Sequence, residues 1–304
     1  MRKSALALLM VLMILLVAGY AIAAPPAIEE HAPMGILGGI VLFHIGMLIG
    51  AIGTLIGAGG GFIVVPILLI FYNFSPQYVI GTSMTVVMLN ALSGTFSYIL
   101  QKRIDYEIGI KFSVAAFPGV FIGALLSQLF SIGTFSIVFG LLLSLLSYSL
   151  FFGKEFLLVR SVAEAPKTRR LLDATGQEYT YAPDMAIGIS ASFFIGVFSG
   201  LFGIGGGIIH VPLMSSALGM PVHVATATSH FILAITSFLG VITFIGLQSI
   251  DIDYAVVLGI GSIIGANIGA NLSLNTHPDI IKKVLALCLF LLALRLVISS
   301  LSGP

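Results

Sequence analysis

GAGGGFIVVP occupies residues 57–66, within a long apolar segment, and GIGGGIIHVP occupies residues 203–212. The second copy lies 146 positions after the first, and seven of the ten positions are identical. Three consecutive glycines do not hold a regular helix well, because each loses backbone entropy and offers no side chain to pack. The proline that ends each copy suits the first turn of a new helix or a kink in it. Each copy therefore predicts a helix, a break and a second helix.

The composition is typical of an integral membrane protein. Hydrophobic residues make up 58% of the 304 residues, charged residues only 8%, and the mean hydropathy is +1.15. A soluble domain of this size could not cover itself with so little charge. The net charge of +1 and the lack of a basic, aromatic stripe argue against a nucleic-acid-binding surface. The single cysteine, Cys288, permits neither an internal disulfide nor a cysteine-based metal cluster.

Three regions follow from the distribution of apolar residues. Residues 1–24 fit a secretory signal peptide, and an uncleaved first transmembrane helix fits nearly as well. Residues 35–152 are predicted to form a first membrane repeat and residues 185–301 a second. Most of their apolar segments have the roughly 20 residues that a transmembrane helix needs. The segments 62–73 and 208–219 are too short to cross, and they are predicted to be half-helices.

The repeat extends well beyond the glycines at a constant spacing. Asp105 corresponds to Asp251, and Gly119 corresponds to Gly265. A spacing that stays constant over more than seventy residues indicates a duplication.

Basic residues indicate how the two repeats are oriented. Lys102 and Arg103 follow the third segment of the first repeat, whereas the equivalent turn at residues 247–251 has no basic residue. The reverse holds for the turn after the fourth segment, where only the second repeat has Lys282 and Lys283. Because cytoplasmic turns carry the excess of Lys and Arg, corresponding turns are predicted on opposite sides of the membrane.

The predicted fold is therefore an all-α polytopic membrane protein with two inverted-topology repeats. Each repeat has a glycine-broken helical hairpin and three spanning helices. The basic linker at residues 153–184 is predicted to lie on the cytoplasmic side, and the chain is expected to be a multi-pass protein of the cytoplasmic (inner) membrane. Two broken helices in matching positions of two such halves point to a transporter's binding site.

The paired glycine-rich motifs, each followed by a helix with a Thr-Ser pair, resemble the TauE/SafE sulfite-exporter family of membrane permeases. The resemblance covers roughly residues 35–300. It implies movement of sulfite, organosulfonates or other sulfur-containing anions across the cytoplasmic membrane. Two residues break the symmetry of the motifs, since His210 stands opposite Val64 and His230 stands opposite Met84.

The glycine-rich breaks could hold an anion without a basic side chain. Half-helices beginning near Phe62 and Ile208 would offer unpaired N–H groups and the positive end of a helix dipole. Glycine lets such a backbone approach a ligand closely. No Lys or Arg lies between residues 33 and 101 or between residues 183 and 281. The alternative is that the glycines only permit close helix packing. The candidate positions are Gly57, Gly59, Gly60, Gly61, Gly203, Gly205, Gly206 and Gly207.

Hydroxyl, amide and imidazole side chains complete the candidate site. The hydroxyls could donate to sulfonate oxygens, or they could cap helices and bond carbonyls within them. The histidines could carry a proton, or they could be neutral and bonded to a carbonyl. The amides are expected to be buried, as interhelical bonds or as a pathway lining. The substrate-binding candidates are Thr82, Ser83, Thr228, Ser229 and His210, and the possible pathway residues are His44, Asn90, His230, Asn267 and Asn271.

The leading functional hypothesis is a secondary transporter that exports a small sulfur-containing anion by alternating access. The alternatives are an anion channel or a subunit of a membrane assembly and, least favoured, an intramembrane hydrolase. No catalytic residue, metal site or cofactor is predicted, and no phosphate-binding loop is present to support ATP hydrolysis. The expected partners are the anion and the lipid bilayer, and protons and further copies of the chain are additional candidates.

Overall fold

The computed structural model describes residues 35–72, 74–152, 168–273 and 278–301. The predicted signal peptide or first helix at residues 1–24 lies outside the described residues, as does the first half of the linker. The helices of the described part are α1 (Ile36–Ile56), α2 (Gly61–Tyr72), α3 (Pro76–Leu100), α4 (Tyr106–Ser127), α5 (Ile132–Phe152), α6 (Met185–Phe202), α7 (Gly207–Pro212), α8 (Val222–Gly246), α9 (Ile252–Leu272) and α10 (Pro278–Leu301). A π-helical turn, Leu213–Ala217, continues α7.

Seven of the described helices are long and apolar enough to span a membrane: α1, α3, α4, α5, α6, α8 and α9. Their outward faces carry large apolar side chains, such as Phe96, Val114 and Leu141, which are 63%, 67% and 61% exposed. Such faces suit contact with lipid, because exposing this apolar area to water would be unfavourable. The prediction of an all-α polytopic membrane protein is confirmed.

The duplication is visible in the element boundaries. Helices α3 and α8 each have 25 residues and begin 146 positions apart, at Pro76 and Val222. The next helix of each repeat is capped in the same way: the side chain of Asp105 accepts a hydrogen bond from an amide of α4, and that of Asp251 accepts one from an amide of α9. The same backbone path was therefore kept in both repeats.

The two repeats interlock through their first and fourth helices. α1 packs along α9, and α6 packs along α4. A Cβ at Gly50 would collide with the carbonyl of Ser262, and a Cβ at the equivalent Gly196 would collide with the carbonyl of Ala116. Glycine is needed where helix backbones approach this closely. The first helix of each repeat therefore packs against the fourth helix of the other.

The equivalent helices α3 and α8 run antiparallel to each other. Gly94, near the end of α3, contacts His230, whereas Gly240, near the end of α8, contacts Met84. Since Met84 and His230 are equivalent positions, the contact is reciprocal. We call the end of this helix pair at Asp105 the hairpin end, and the end at Asp251 the far end.

The linker forms a β-hairpin that docks at the hairpin end. Its strands β1 (Arg169–Leu172) and β2 (Glu178–Tyr181) pair antiparallel, with Arg169 opposite Tyr181. Arg169 forms an ion pair with Asp105, and Tyr181 donates a 2.8 Å hydrogen bond to the same carboxylate. Burial and the adjacent Asp105 carboxylate both raise the pKa of Tyr181, so the phenol remains a donor.

A buried ion pair holds the other side of the hairpin. Nε and Nη2 of Arg103 both donate to Oδ2 of Asp173, at 3.2 Å each. Burial alone would raise the pKa of Asp173. The Thr175 hydroxyl, the amides of Gln177 and Thr175 and the Arg103 guanidinium together hold this pKa well below its usual range. The described part of the linker is therefore packed on the helical repeats.

Candidate functional site

Both glycine-rich motifs break their helices, as predicted from the sequence. In the first turn Gly57, Gly59 and Gly60 have φ angles of 82°, 75° and 84°. In the second, Gly203, Gly205 and Gly206 have φ angles of 68°, 74° and 77°. Only glycine adopts this left-handed region freely. The half-helices that follow begin at Gly61 and Gly207.

The two turns meet in the core of the molecule. A Cβ at Gly61 would lie 2.5 Å from the carbonyl oxygen of Gly203, and a Cβ at Gly207 would lie 2.5 Å from the carbonyl oxygen of Gly57. All four residues are buried. The start of each half-helix therefore packs against the turn of the other repeat.

The first amides of both half-helices are left bare. Within the described ranges, no residue accepts a hydrogen bond from the amides of Gly61 and Phe62, or from those of Gly207 and Ile208. The first helical turns of α2 and α7 carry no acidic residue, and α7 has no side-chain cap. A buried helix start that lacks a capping group is unusual, and it concentrates positive potential.

An apolar pair of side chains covers the contact between the turns. Val87 on α3 and Leu233 on α8 are equivalent residues, and both are fully buried. A Cβ at Gly59 would lie 3.0 Å from Val87 and 3.1 Å from Leu233, and one at Gly205 would lie 2.6 Å and 2.8 Å from the same two side chains. The contact is therefore occluded in this conformation.

In each of the two predicted Thr-Ser pairs, the serine and the threonine contact different parts of the molecule. The hydroxyl of Ser83 donates to the carbonyl of Gly203, and that of Ser229 donates to the carbonyl of Gly57, both at 2.8 Å. Each serine thus binds the glycine turn of the other repeat. Neither serine caps a helix, because α3 and α8 each begin seven residues earlier.

The threonines lie further from the glycine turns. Thr82 accepts a 3.0 Å hydrogen bond from the amide of Asp251 at the far end, and Thr228 accepts one of the same length from the amide of Asp105 at the hairpin end. The structure brings the serines, but not the threonines, to the meeting of the turns.

Asn90 and His230 belong to one buried polar cluster beside the first turn. Nε2 of His230 lies 3.1 Å from Oγ1 of Thr54 and 3.3 Å from Oδ1 of Asn90. The Tyr98 hydroxyl donates to the carbonyl of Thr54, and the Tyr98 ring packs edge-on to the imidazole. Thr54 lies in the last turn of α1, three residues before Gly57, but nothing in its apolar surroundings singled it out in the sequence.

His210 is buried in a second environment at the hairpin end. Its Nε2 lies 3.2 Å from Oγ of Ser192, and its ring stacks on Phe112. Phe112 in turn packs in a cluster with Tyr179 and Tyr181 of the hairpin. No sequence pattern connected Ser192 or the hairpin to His210.

Three pathway candidates lie away from the glycine turns. Asn267 and Asn271 were expected to be buried, but both are exposed on α9. Asn267 accepts a hydrogen bond from Ser97 and donates to Ser93, so it joins α9 to α3 at the molecular surface. His44 is also exposed, and its Nδ1 bonds the Ile40 carbonyl within α1. In the described part of the chain, no cluster of His, Cys, Asp or Glu is suited to a metal ion.

A cavity of about 420 Å³ lies between the hairpin and the start of α4. Its charged side chains are Asp105, Glu107, Arg169 and Arg170. Arg169 is paired with both carboxylates at the start of α4, at 3.2 Å and 2.7 Å. The cavity therefore offers no excess of positive charge to an anion.

The sequence matches the family model described as sulfite exporter TauE/SafE over residues 42–296. It is 34% identical over 267 residues to the probable membrane transporter protein YunE of Bacillus subtilis, covering 85% of this chain and 97% of that protein. It is 28% identical to a probable membrane transporter protein of Haemophilus influenzae, covering 83% of this chain and 93% of the relative. No solved structure matches the chain significantly. These relatives are named as transporters rather than enzymes, and the chain, a multi-pass membrane protein, belongs to the TauE/SafE family of membrane transporters.

Proposed function

We propose that this protein is a secondary transporter that exports a small sulfur-containing anion, such as sulfite or an organosulfonate, by alternating access. The observation that carries the proposal is the meeting of two uncapped half-helix starts, one from each repeat, in the core. Bare amides and helix dipoles stabilise negative charge. The hydroxyls of Ser83 and Ser229 lie at the same place and could turn from carbonyl to ligand.

Alternating access follows from the symmetry of this contact. The antiparallel packing of α3 on α8 supports the inverted-repeat prediction, because a two-fold axis perpendicular to these helices exchanges the two ends. Val87 and Leu233 close the contact in the present conformation. Movement of α3 relative to α8 would separate these two side chains and expose the amides to one side at a time, as a carrier requires and an open channel does not.

We place the hairpin end on the cytoplasmic side of the inner membrane. The turn that holds Lys102 and Arg103 lies there, together with the basic linker. Export of an anion from a negative interior is favoured by about 2.3 kcal/mol per charge at 100 mV, so export requires no second ion.

Thermal unfolding of the purified protein with a ligand panel tests the substrate class. We expect sulfite, thiosulfate, taurine or sulfoacetate to raise the unfolding temperature, and glucose and ethylenediamine to leave it unchanged. Stabilisation by the sugar or the amine, with none by any anion, would refute the assignment. Flux of radiolabelled sulfite into proteoliposomes should saturate with concentration, whereas flux that rises linearly would indicate a channel.

A further inference from the structure

His230 is an ionisable side chain buried among fixed hydrogen-bonding groups of the other repeat. It is fully buried, and its Nε2 lies within hydrogen-bond distance of Thr54 on α1 and Asn90 on α3. Its Nδ1 is buried as well and has no hydrogen-bond partner among the described residues. The equivalent position in the first repeat is Met84, so the cluster is a feature of one end only.

The orientation of the Asn90 amide is fixed by its surroundings. Its Nδ2 donates to the carbonyl of Gly50 at 3.1 Å and to that of Ser262 at 3.4 Å. Both partners are acceptors, so the nitrogen must face them and Oδ1 must face Thr54 and His230. An amide oxygen only accepts, and the Thr54 hydroxyl donates to it at 3.2 Å.

This arrangement selects the tautomer of His230. With the Thr54 hydroxyl committed to Asn90, Nε2 satisfies its two neighbours only as an N–H donor to Oγ1 of Thr54 and Oδ1 of Asn90. The other neutral tautomer would bury an Nδ1–H group without an acceptor, which is costly. Neutral His230 therefore carries its proton on Nε2, and Nδ1 keeps a buried lone pair that can take another proton.

The surroundings of His230 supply no counter-charge for an imidazolium. Among the described residues, no carboxylate forms an ion pair with it. Four helices pack against α8, and the titratable groups of α3 are Tyr78 and Tyr98, of which Tyr98 is in edge contact with the ring. α4 carries Tyr106, Glu107 and Lys111, with Asp105 just before it, α7 carries His210, and α1 carries His44 on its outer surface. An anion bound at the glycine turns would supply the missing charge.

The cluster is mechanically joined to the first glycine turn. Ser229, the neighbour of His230, bonds the carbonyl of Gly57, and the amide of Gly57 bonds the carbonyl of Thr54. We propose that Nδ1 of His230 binds one proton together with the anion, so that proton and substrate occupy the transporter cooperatively. The inference rests on the proposed anion transport. For a dianion, one co-bound proton leaves one net negative charge for the membrane potential to act on.

The tautomer is measurable without any substrate. Nitrogen NMR of histidine-labelled protein in nanodiscs should show His230 protonated on Nε2 and unprotonated on Nδ1 at neutral pH. The His230→Gln variant assigns the signal. A signal from the Nδ1–H tautomer, or from a fully protonated ring without anion, would overturn the proposal.

Proton uptake on anion binding tests the linkage itself. Thiosulfate is the probe, because it does not titrate near neutral pH. In weak buffer we expect close to one proton taken up per thiosulfate bound, and an affinity that rises up to tenfold for each pH unit lowered. His230→Gln keeps a donor near Nε2 and removes the base, so it should bind thiosulfate without proton uptake and with a flat pH profile.

His223→Gln is the matched control, since this histidine is exposed on the same helix and should leave proton uptake unchanged. His230→Met, which copies the first repeat, serves if the Gln variant does not fold. Equal proton uptake in wild type and both His230 variants would overturn the linkage and leave anion transport standing. Absence of binding by every anion in the panel would overturn the proposed function and the linkage with it.

Discussion

The two ends of the α3–α8 pair have the same backbone but different chemistry. At the hairpin end the position opposite Gly94 is His230, with Thr54 and Asn90 around it. At the far end the position opposite Gly240 is Met84, and the residues equivalent to Thr54 and Asn90 are Gly200 and Thr236. The glycine turns, the serine bonds and the Thr–Asp bonds are, by contrast, present twice.

This difference separates the features that occur in both repeats from the polar residues that occur at one end only. The duplicated features hold the two repeats together, and each would have to be kept twice for the symmetry to survive. The added polar groups, together with the docked hairpin, lie at one end only. The two sides of the contact between the glycine turns are therefore chemically different.

The largest effect is expected from substitutions that disrupt the contact between the two glycine turns. Gly60→Val and Gly206→Val put a β-branched side chain at φ angles of 84° and 77° and against Ile49 and Ile195. Such residues rarely tolerate the left-handed region. Both variants should lose transport in proteoliposomes while still inserting in the membrane. Gly246→Val is the control, because its Cβ would meet nothing within 4 Å. Wild-type flux in both turn variants would mean that the glycines serve packing alone.

The next effect should appear at the hairpin end alone. Asp173→Asn leaves the buried Arg103 without its counter-charge, and breaking such a pair costs roughly 3–5 kcal/mol. Hydrogen exchange of the β1 and β2 amides should accelerate by about two orders of magnitude or more. Glu178→Gln, which removes an exposed pair at 3.7 Å on the same hairpin, should change little.

The same ion pair predicts a pH dependence with a defined sign. Because the pKa of Asp173 is lowered by folding, its stabilisation is complete above the unfolded value of about 3.9 and is lost as the pH falls below it. The difference in unfolding temperature between wild type and Asp173→Asn should therefore be constant from pH 7 to pH 5 and shrink towards pH 3. A difference that grew on acidification would contradict the assignment.

The sequence predicted the features that depend on backbone composition. Three glycines followed by a proline locate each break, and the constant spacing of Asp105 and Asp251 locates equivalent helix starts. It could not predict which face of an almost wholly apolar helix turns inward, so the burial expected for Asn267 and Asn271 was wrong. In such a span lipid-facing and core-facing residues have the same hydropathy.

The sequence also could not predict the long-range contacts. Thr82 and Ser83 are neighbours about 100° apart on one helix, and only the folded chain decides which one reaches Gly203. Thr54, Asn90 and His230 come from three helices of two repeats, and no local pattern relates them. The hairpin is specified by its ion pairs with residues 103 and 105, which lie more than sixty positions away.

Alanine at the two equivalent helix contacts should sharpen the comparison. At Gly94 a Cβ would lie 2.6 Å from the rigid imidazole of His230, whereas at Gly240 it would meet the flexible end of Met84. Gly94→Ala should therefore cost roughly 1–3 kcal/mol, and Gly240→Ala less. Denaturant unfolding in detergent measures both. Gly94→Ala combined with His230→Met should recover stability, and equal losses without recovery would argue that the ends are mechanically alike.

The smallest effects are expected from Ser83→Ala and Ser229→Ala, where the ends should behave identically. Each removes the 2.8 Å hydrogen bond from a serine to a carbonyl of the other repeat's glycine turn, a loss of about 0.5–1.5 kcal/mol; the longer 3.4 Å contact of Ser83 with the Gly61 carbonyl should add little. If the polar cluster affects only its own end, the two losses should agree within a few tenths of a kcal/mol in the same unfolding assay. A clearly larger loss for Ser229→Ala would mean that His230, its neighbour on α8, also holds the first turn in place. The difference between the two ends would then extend to the contact between the two glycine turns, and the two turns would not open with equal ease.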